Sequence, residues 1–173
     1  MQRLARPSRS HSVAACSRLV SLPQLAQARC VALFASLSDE PSTRPLFEEL
    51  RCLGLRCLLP RTTAARQLEF CEVSSWEDLR VGRYGVSEPA ADSVLVSLAE
   101  ADVVVVPGVA FDASGGRLGR GKGYYDRALA QVEGSFVVGL ALEGRVVEEV
   151  PRGDLDQVVD AVVTERRVLS RKR

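Results

Sequence analysis

The sequence is poor in the residues that most often carry metal and nucleophilic chemistry. It holds one histidine, His11, and two lysines, Lys122 and Lys172, every other basic side chain being arginine. His11 has no second ligand type near it in the chain and reads as a solvated side chain. The cysteines (Cys16, Cys30, Cys52, Cys57 and Cys71) are odd in number and contain no C-x-x-C pair, which argues against a zinc site or a disulfide framework and points to a reducing compartment. No long apolar run is present: Val103–Val106 is strand-sized, whereas a bilayer span needs ~20 residues. The formal net charge is +1, so nothing global favours nucleic acid or an anionic membrane as partner.

Acidic residues are missing from the start of the chain, where the first carboxylate is Asp39, while residues 1–30 carry five arginines and five serines. That composition is compatible with an organellar transit peptide. The other reading is an ordinary Arg-rich segment in which Leu19, Leu22, Leu25 and Ala26 form one face of a short helix. The basic end, Arg166 to Arg173, reads as a solvated tail; an RNA-binding role for the two arginine-rich ends is disfavoured by near-neutral charge and few aromatics.

What is present suits one soluble domain: 173 residues, 46% hydrophobic and 26% charged. Strands are expected at Val31–Leu37, Arg56–Leu59 (stopped by Pro60), Leu68–Val73, Asp102–Val106, Phe136–Leu142 and Val158–Val163, and helices at Arg44–Leu53, Asp92–Ala99 and Tyr124–Val132. Ser42 and Thr43 are candidate caps for the helix at 44. Residues 74–89, with Trp76, Gly82, Tyr84, Gly85 and Pro89, hold too many breakers for a long element. This alternation predicts an α/β three-layer sandwich with a mostly parallel central sheet, and places a functional site at the loop leaving Val106.

That loop reads G-G-R-L-G-R-G-K-G-Y-Y-D over residues 115–126. Glycines without Cβ atoms let backbone N–H groups curl around an anion, and Arg117, Arg120 and Lys122 add charge that phosphate oxygens accept. The helix beginning below the loop is expected to add its positive end. Gly123 stands where a Walker A motif needs Ser or Thr, so the loop is neither that motif nor the dinucleotide fingerprint. Asp126 suits either capping of the following helix or magnesium ligation, and spacing leaves both open.

The run V-P-G-V-A-F-D-A-S-G-G-R-L-G-R-G-K-G-Y-Y-D-R, Val106 to Arg127, resembles the signature of the 5-formyltetrahydrofolate cyclo-ligase (methenyltetrahydrofolate synthetase) family. F-A-S-L-S-D-E-P-S-T (Phe34–Thr43), L-L-P-R (Leu58–Arg61), Y-G-V-S-E-P (Tyr84–Pro89) and P-R-G-D-L-D-Q-V-V-D-A-V-V-T-E (Pro151–Glu165) resemble it in the same order, so the likeness covers residues 31–165 as one domain. It implies ATP- and magnesium-dependent closure of 5-formyltetrahydrofolate, with or without a polyglutamate tail, to 5,10-methenyltetrahydrofolate through a phosphorylated formyl group, with ADP and phosphate released.

Carried over by position, it implies ATP contacts at Arg117, Leu118, Gly119, Arg120, Gly121, Lys122, Gly123, Tyr124 and Tyr125. Substrate contacts fall at Ala35, Glu40, Arg120, Gly121, Lys122, Gly123 and Tyr124, catalytic roles at Arg120, Lys122 and Tyr124, and magnesium at Asp126 and Asp156. A cytoplasmic monomer without nucleic-acid or membrane partners is expected, or an organellar one if residues 1–30 are a transit peptide. Pro41 stands where an aliphatic residue usually follows Glu40, and Leu155 where a polar one usually precedes Asp156. The larger departure is a family helix bearing Lys and, four residues on, Arg: Arg3 and Arg6 are one step too close, and Pro7 disturbs a helix continuing past them. A start lying upstream, a shortened site, or a nonenzymatic folate- or nucleotide-binding paralogue would each account for it.

Overall fold

A computed structural model describes residues 7–172. Its elements run α1 (Arg9–Val20), α2 (Pro23–Gln27), β1 (Cys30–Ala32), α3 (Arg44–Cys52), β2 (Arg56–Thr62), β3 (Leu68–Glu72), β4 (Arg80–Val81), β5 (Ser87–Glu88), β6 (Leu95–Val96), β7 (Val103–Val106), β8 (Ala110–Phe111), β9 (Arg117–Leu118), α4 (Tyr124–Leu129), β10 (Phe136–Leu140), β11 (Ala161–Val163) and β12 (Val168–Ser170). Eight strands form one sheet in the order β12-β11-β10-β7-β1-β2-β3-β6. Its centre, from β11 to β2, is parallel, with Val31 beside Cys57 on one side and Val103 on the other. The edges β12, β3 and β6 are antiparallel.

Two apolar layers cover the sheet, making the α/β three-layer sandwich. Because side chains alternate along a strand, β7 sends Val103 and Val105 to one face and Val104 and Val106 to the other. On the first face Ala15 and Leu19 of α1, Leu25 of α2, and Leu46 and Leu50 of α3 meet Val31, Leu33 and Val138. On the second, Leu129 of α4 and Phe111 of β8 meet Ala32, Leu58 and Val162. The N-terminal segment is therefore part of the core, as two helices rather than one; Leu19, Leu22 and Leu25 are buried, but Ala26 is exposed. Four of the cysteines, Cys16, Cys30, Cys57 and Cys71, are buried, and burial pushes the Cys16 thiol up to about 11.

Several boundaries differ from expectation for physical reasons. β2 runs through Pro60 because β1 pairs only with Arg56–Leu58, so the missing N–H falls beyond the end of β1. Residues 92–99 are not helical: Val96 pairs with Phe70, and a 3-10 turn follows at Leu98–Glu100. Edge pairing has overridden helix propensity there. α4 ends at Leu129 rather than Val132, close to Gly134 with its φ of 85°. β10 stops at Leu140, and β11 starts only at Ala161 because Val159 N donates instead to Gly115 O at 2.9 Å. Residues 166–173 are not merely a tail, since β12 pairs antiparallel with β11. Thr43 occupies the N-cap of α3 without capping it, its hydroxyl donating to Phe34 O at 2.5 Å.

The topology decides where a ligand can sit. From β1 the chain crosses over α3 to β2 on one side, and the next parallel strand, β7, lies on the other side of β1. Loops leaving the carboxyl ends of β1 and β7 therefore diverge and open a crevice. Phe111, fully buried, fills the floor beneath the second loop; a Cβ on Gly139 of β10 would meet its ring. Gly139→Ala is expected to cost about 1–3 kcal/mol through overpacking, read as a lower urea midpoint with an unchanged m-value.

Candidate functional site

The loop after β1 is closed by its own hydroxyls. Ser36 Oγ donates to Pro41 O at 2.6 Å and accepts from Thr43 N at 2.9 Å. At its tip the Glu40 N–H donates to Leu37 O at 3.0 Å, and Glu40 Oε2 accepts from Leu37 N at 2.8 Å. Asp39 and Glu40 are thereby held at the crevice.

After β7, the β8–β9 hairpin is ordered by one carboxylate. Asp112 Oδ1 accepts from Ser114 N (2.8 Å), Ser114 Oγ (2.6 Å) and Gly116 N (2.9 Å), while Oδ2 accepts from Val150 N at 2.8 Å. Beyond β9 the chain turns through Gly121 (φ 82°) and Gly123 (φ 62°), the second being the N-cap of α4. Only glycine adopts these left-handed angles freely. α4 has six residues, so its dipole adds far less to the site than a long helix would.

The two loops enclose a cavity of about 520 Å³, and its wall brings together Ala35, Glu40, Arg117, Leu118, Gly119, Arg120, Gly121, Lys122, Gly123, Tyr124, Tyr125, Asp126 and Asp156. Every residue implied as a ligand contact thus lies on one surface. Arg3 and Arg6 fall outside the described residues. α1 does not replace them: Arg18 donates to Thr164 O and Glu165 O, and Arg9 lines a separate depression with Ser12 and Arg44.

Charge is arranged in two groups. In the deeper one, buried Arg117 donates through Nη2 to Asp126 Oδ1 at 2.6 Å and lies 5.8 Å from the Tyr125 ring centroid. Its Nε is buried, with almost no accessible surface, and has no hydrogen-bond partner among the described residues. Burial pushes the Tyr125 hydroxyl well above its ordinary range, as does nearby Glu40, so it stays protonated.

In the outer group Arg120 Nη2 bridges both Asp39 oxygens at 2.8 and 2.9 Å and reaches Glu40 Oε1 at 3.4 Å. Buried Arg145 donates to Asp39 O at 2.6 Å, to Asp39 Oδ2 at 3.0 Å and to Val109 O at 3.3 Å. The neighbouring acids respond oppositely. Burial acts to raise the Asp39 carboxyl, but Arg120 and Arg145 outweigh it and leave it below its ordinary value. Burial wins at Glu40 and raises it, against the Leu37 N–H and Arg120. Lys122 is exposed, its Nζ 3.4 Å from the Tyr84 ring centroid, and the Tyr84 and Tyr124 hydroxyls are 3.4 Å apart.

Asp126 and Asp156 fit a magnesium ion bound jointly with phosphate. Asp126 receives Arg117 and Gln157 N on Oδ1 alone, so Oδ2 carries no hydrogen bond among the described residues. Asp156 is exposed and gives one oxygen to Gly153 N at 2.7 Å. No group of three or more His, Cys, Asp or Glu is arranged to hold a metal among the described residues.

Sequence reasoning passed over Asp39, Asp112, Arg145 and Glu88. Asp39 adjoins Glu40 in a motif whose family likeness points to the glutamate, and the Asx-type pattern D-A-S-G-G is a usable sign of Asp112 as a loop organiser. Nothing in the linear sequence connects Arg145 with Asp39.

These features define the class: an α/β protein with a cavity lined by glycine, arginine and lysine at the topological switch point of its sheet. A sequence profile of the 5-formyltetrahydrofolate cyclo-ligase family matches residues 2–165. The 5-formyltetrahydrofolate cyclo-ligase of Escherichia coli K12 is 36% identical over 159 residues, covering 89% of this chain and 87% of its own. That of Mycolicibacterium smegmatis is 32% identical over 149 residues, covering 80% and 75%. The solved structure of Aquifex aeolicus 5,10-methenyltetrahydrofolate synthetase superposes with a TM-score of 0.82 at 37% identity, over 94% of this chain and 81% of that one. The chain belongs to the 5-formyltetrahydrofolate cyclo-ligase family of enzymes.

Asp112 ties stability to pH. Burial acts to raise its carboxyl, but bonds from Ser114, Val150 and Gly116 outweigh this and leave it below the ordinary carboxylate value. A depressed folded pKa contributes stability above the unfolded pKa of about 3.9, and that stability is lost as pH falls through the folded value. Asp112→Asn, which turns an NH₂ group toward backbone donors, is expected to lose about 1–3 kcal/mol at neutral pH. The deficit against wild type should shrink in denaturant titrations repeated at progressively lower pH through the acid range.

Proposed function

We infer that the protein converts 5-formyltetrahydrofolate to 5,10-methenyltetrahydrofolate with consumption of ATP, as a monomeric cytoplasmic enzyme. The observation that carries this is the convergence of Arg117, Arg120 and Lys122, Asp126 and Asp156, and buried Glu40 on one cavity wall. It joins a phosphate-binding half to a half fitted for a flat ligand with N–H donors.

The chemistry asks for little covalent work from the protein. The formyl oxygen attacks the terminal phosphorus of ATP and ADP leaves. The N10 lone pair then attacks the formyl carbon, the oxygen departs as phosphate, and the N10 proton is lost. Phosphorylation is needed because an amide oxygen is a poor leaving group, and ring closure gains from being intramolecular. The catalytic requirement is positioning and stabilisation of charge.

Arg120, Lys122 and the backbone of Gly119, Gly121 and Gly123 take the phosphates, with Arg117 behind them. Tyr124 lies beside Lys122 and orients the transferring group by its hydroxyl. Magnesium, held by Asp126 and Asp156, would neutralise phosphate charge. Glu40 accepts from ring nitrogens of the pterin, and Ala35 leaves space beside it for the ring. Two parked cations support this reading. Arg120 can leave Asp39 for a phosphate because Arg145 stays on Asp39, and Glu40, which Arg120 also reaches, keeps the Leu37 N–H. Lys122 has to give up only an aromatic face.

The test is the ultraviolet absorbance of the methenyl product when protein meets 5-formyltetrahydrofolate and magnesium, with and without ATP. An ATP-dependent rise is expected; a folded protein that binds folate without any rise would instead be a nonenzymatic paralogue. Lys122→Ala should lose most of this activity with an unchanged melting temperature, since Lys122 is exposed in a polar loop. Wild-type turnover in that variant would remove Lys122 from the mechanism. Asp126→Asn should weaken the magnesium dependence of the same signal, and an unaltered metal titration would return Asp126 to the support of Arg117.

A further inference from the structure

Glu88 ends the short β4–β5 ribbon and forms part of the cavity wall, where the reaction above gives it no task. Its burial is nearly complete, at 7% exposure. A carboxylate withdrawn from water to this degree is ordinarily matched by a cation or by several hydrogen bonds. Among the described residues Glu88 makes no salt bridge, although its charge and that of Arg61 lie close enough to act on one another. Its one side-chain hydrogen bond among them is the long contact from Thr62 N to Oε1 at 3.3 Å. The nearby Arg61 is committed elsewhere, to Ala90 O, Ala91 O and Glu69.

The backbone makes room for this carboxylate. A Cβ at Gly82 would collide with Oε2, Cδ and Cγ of Glu88. Gly82 itself has φ −97° and ψ −159°, extended values open to any residue. The turn would admit a side chain at this position, but one there would push the Glu88 carboxylate aside. The chain thus keeps a small residue whose effect is to let an under-bonded acid lie at the wall of a ligand cavity.

We propose that Glu88 is a second substrate-recognition carboxylate, which accepts a hydrogen bond from an N–H donor of the bound folate and so selects ligands bearing a donor there. It rests on the folate reading of the cavity and adds to Glu40 a second acid that sequence likeness does not assign. The two acids differ in what the protein already gives them. Glu40 has the Leu37 N–H and Arg120, whereas Glu88 keeps most of its acceptor capacity for the ligand. A buried acceptor left unmatched rejects ligands that lack the donor, which is how a site discriminates between close analogues.

Two variants test this by equilibrium titration of the full chain with 5-formyltetrahydrofolate in the absence of ATP. Glu88→Gln keeps an acceptor for Thr62 N and the side-chain shape but replaces the other oxygen by a donor. Gly82→Ala keeps the acid and displaces it. Both are expected to raise the folate Kd by about ten-fold or more with the ATP Kd unchanged, and in Glu88→Gln with the melting temperature unchanged as well. Wild-type folate affinity in Glu88→Gln would overturn the proposal. So would a parallel loss of folate and ATP binding together with a lower melting temperature, because that pattern belongs to a residue that only supports the 82–88 turn. A wild-type protein that binds no folate would instead sink the reading of the cavity, and Glu88 with it, before either variant is compared.

Discussion

The site is assembled around Asp39. Its carboxylate is shared by Arg120, from the glycine-rich loop, and Arg145, from the turn after β10, and Arg145 also holds the Asp39 carbonyl. Three segments that follow three different strands of the parallel sheet meet at this residue. Parallel topology brings the carboxyl ends of β1, β7 and β10 to one edge, but it says nothing of how their loops face one another. The ion pairs do. Arg145 is almost fully buried beside a carboxylate that is still partly accessible, so removing either partner would strand a charge in a poor solvent.

The same cluster explains why adjacent acids behave differently. Asp39, between two guanidiniums, is a fixed anion; its contribution to stability exists above the unfolded carboxylate pKa and fades as pH falls through a still lower folded value. Glu40 is more deeply buried, and its folded pKa is raised. The folded state therefore holds the Glu40 proton more tightly than the unfolded chain, and ionising it weakens folding as pH rises from the unfolded toward the folded value. Neighbouring groups pushed in opposite directions suit different tasks. Asp39 keeps the arginines in place, while Glu40 is the acid whose charge a ligand's donors would complete.

Much of this was legible in residue order. β-branched residues mark the central strand β7, and alternating glycine and cation mark the loop between 115 and 126. What was not legible depended on pairing in space. Pro60 reads as a stop, yet it lies within β2 because its β1 neighbour has already ended. Asp92–Ala99 has a plausible helical pattern, and edge pairing with β3 turned part of it into β6. Arg145 gave no local sign of its role, since its partner Asp39 is 106 residues away in the chain.

The N-terminal cations bear on how the phosphate half would work. α1 presents no lysine, its Arg18 is tied to carbonyls near β12, and Arg9 does not line the cavity. The positive charge reaching the cavity from the described residues therefore comes mainly from one loop, through Arg117, Arg120 and Lys122. Two of these are held by acids and one by an aromatic ring, so an anion taken up by Arg120 or Lys122 would have to replace those contacts. Exchange lowers affinity by the strength of the contacts given up, but it keeps a cavity rich in arginine from collecting unrelated anions. Arg117 differs from Arg120 in this respect. Its guanidinium is almost fully buried and stays on Asp126, whereas that of Arg120 is partly exposed at the cavity wall.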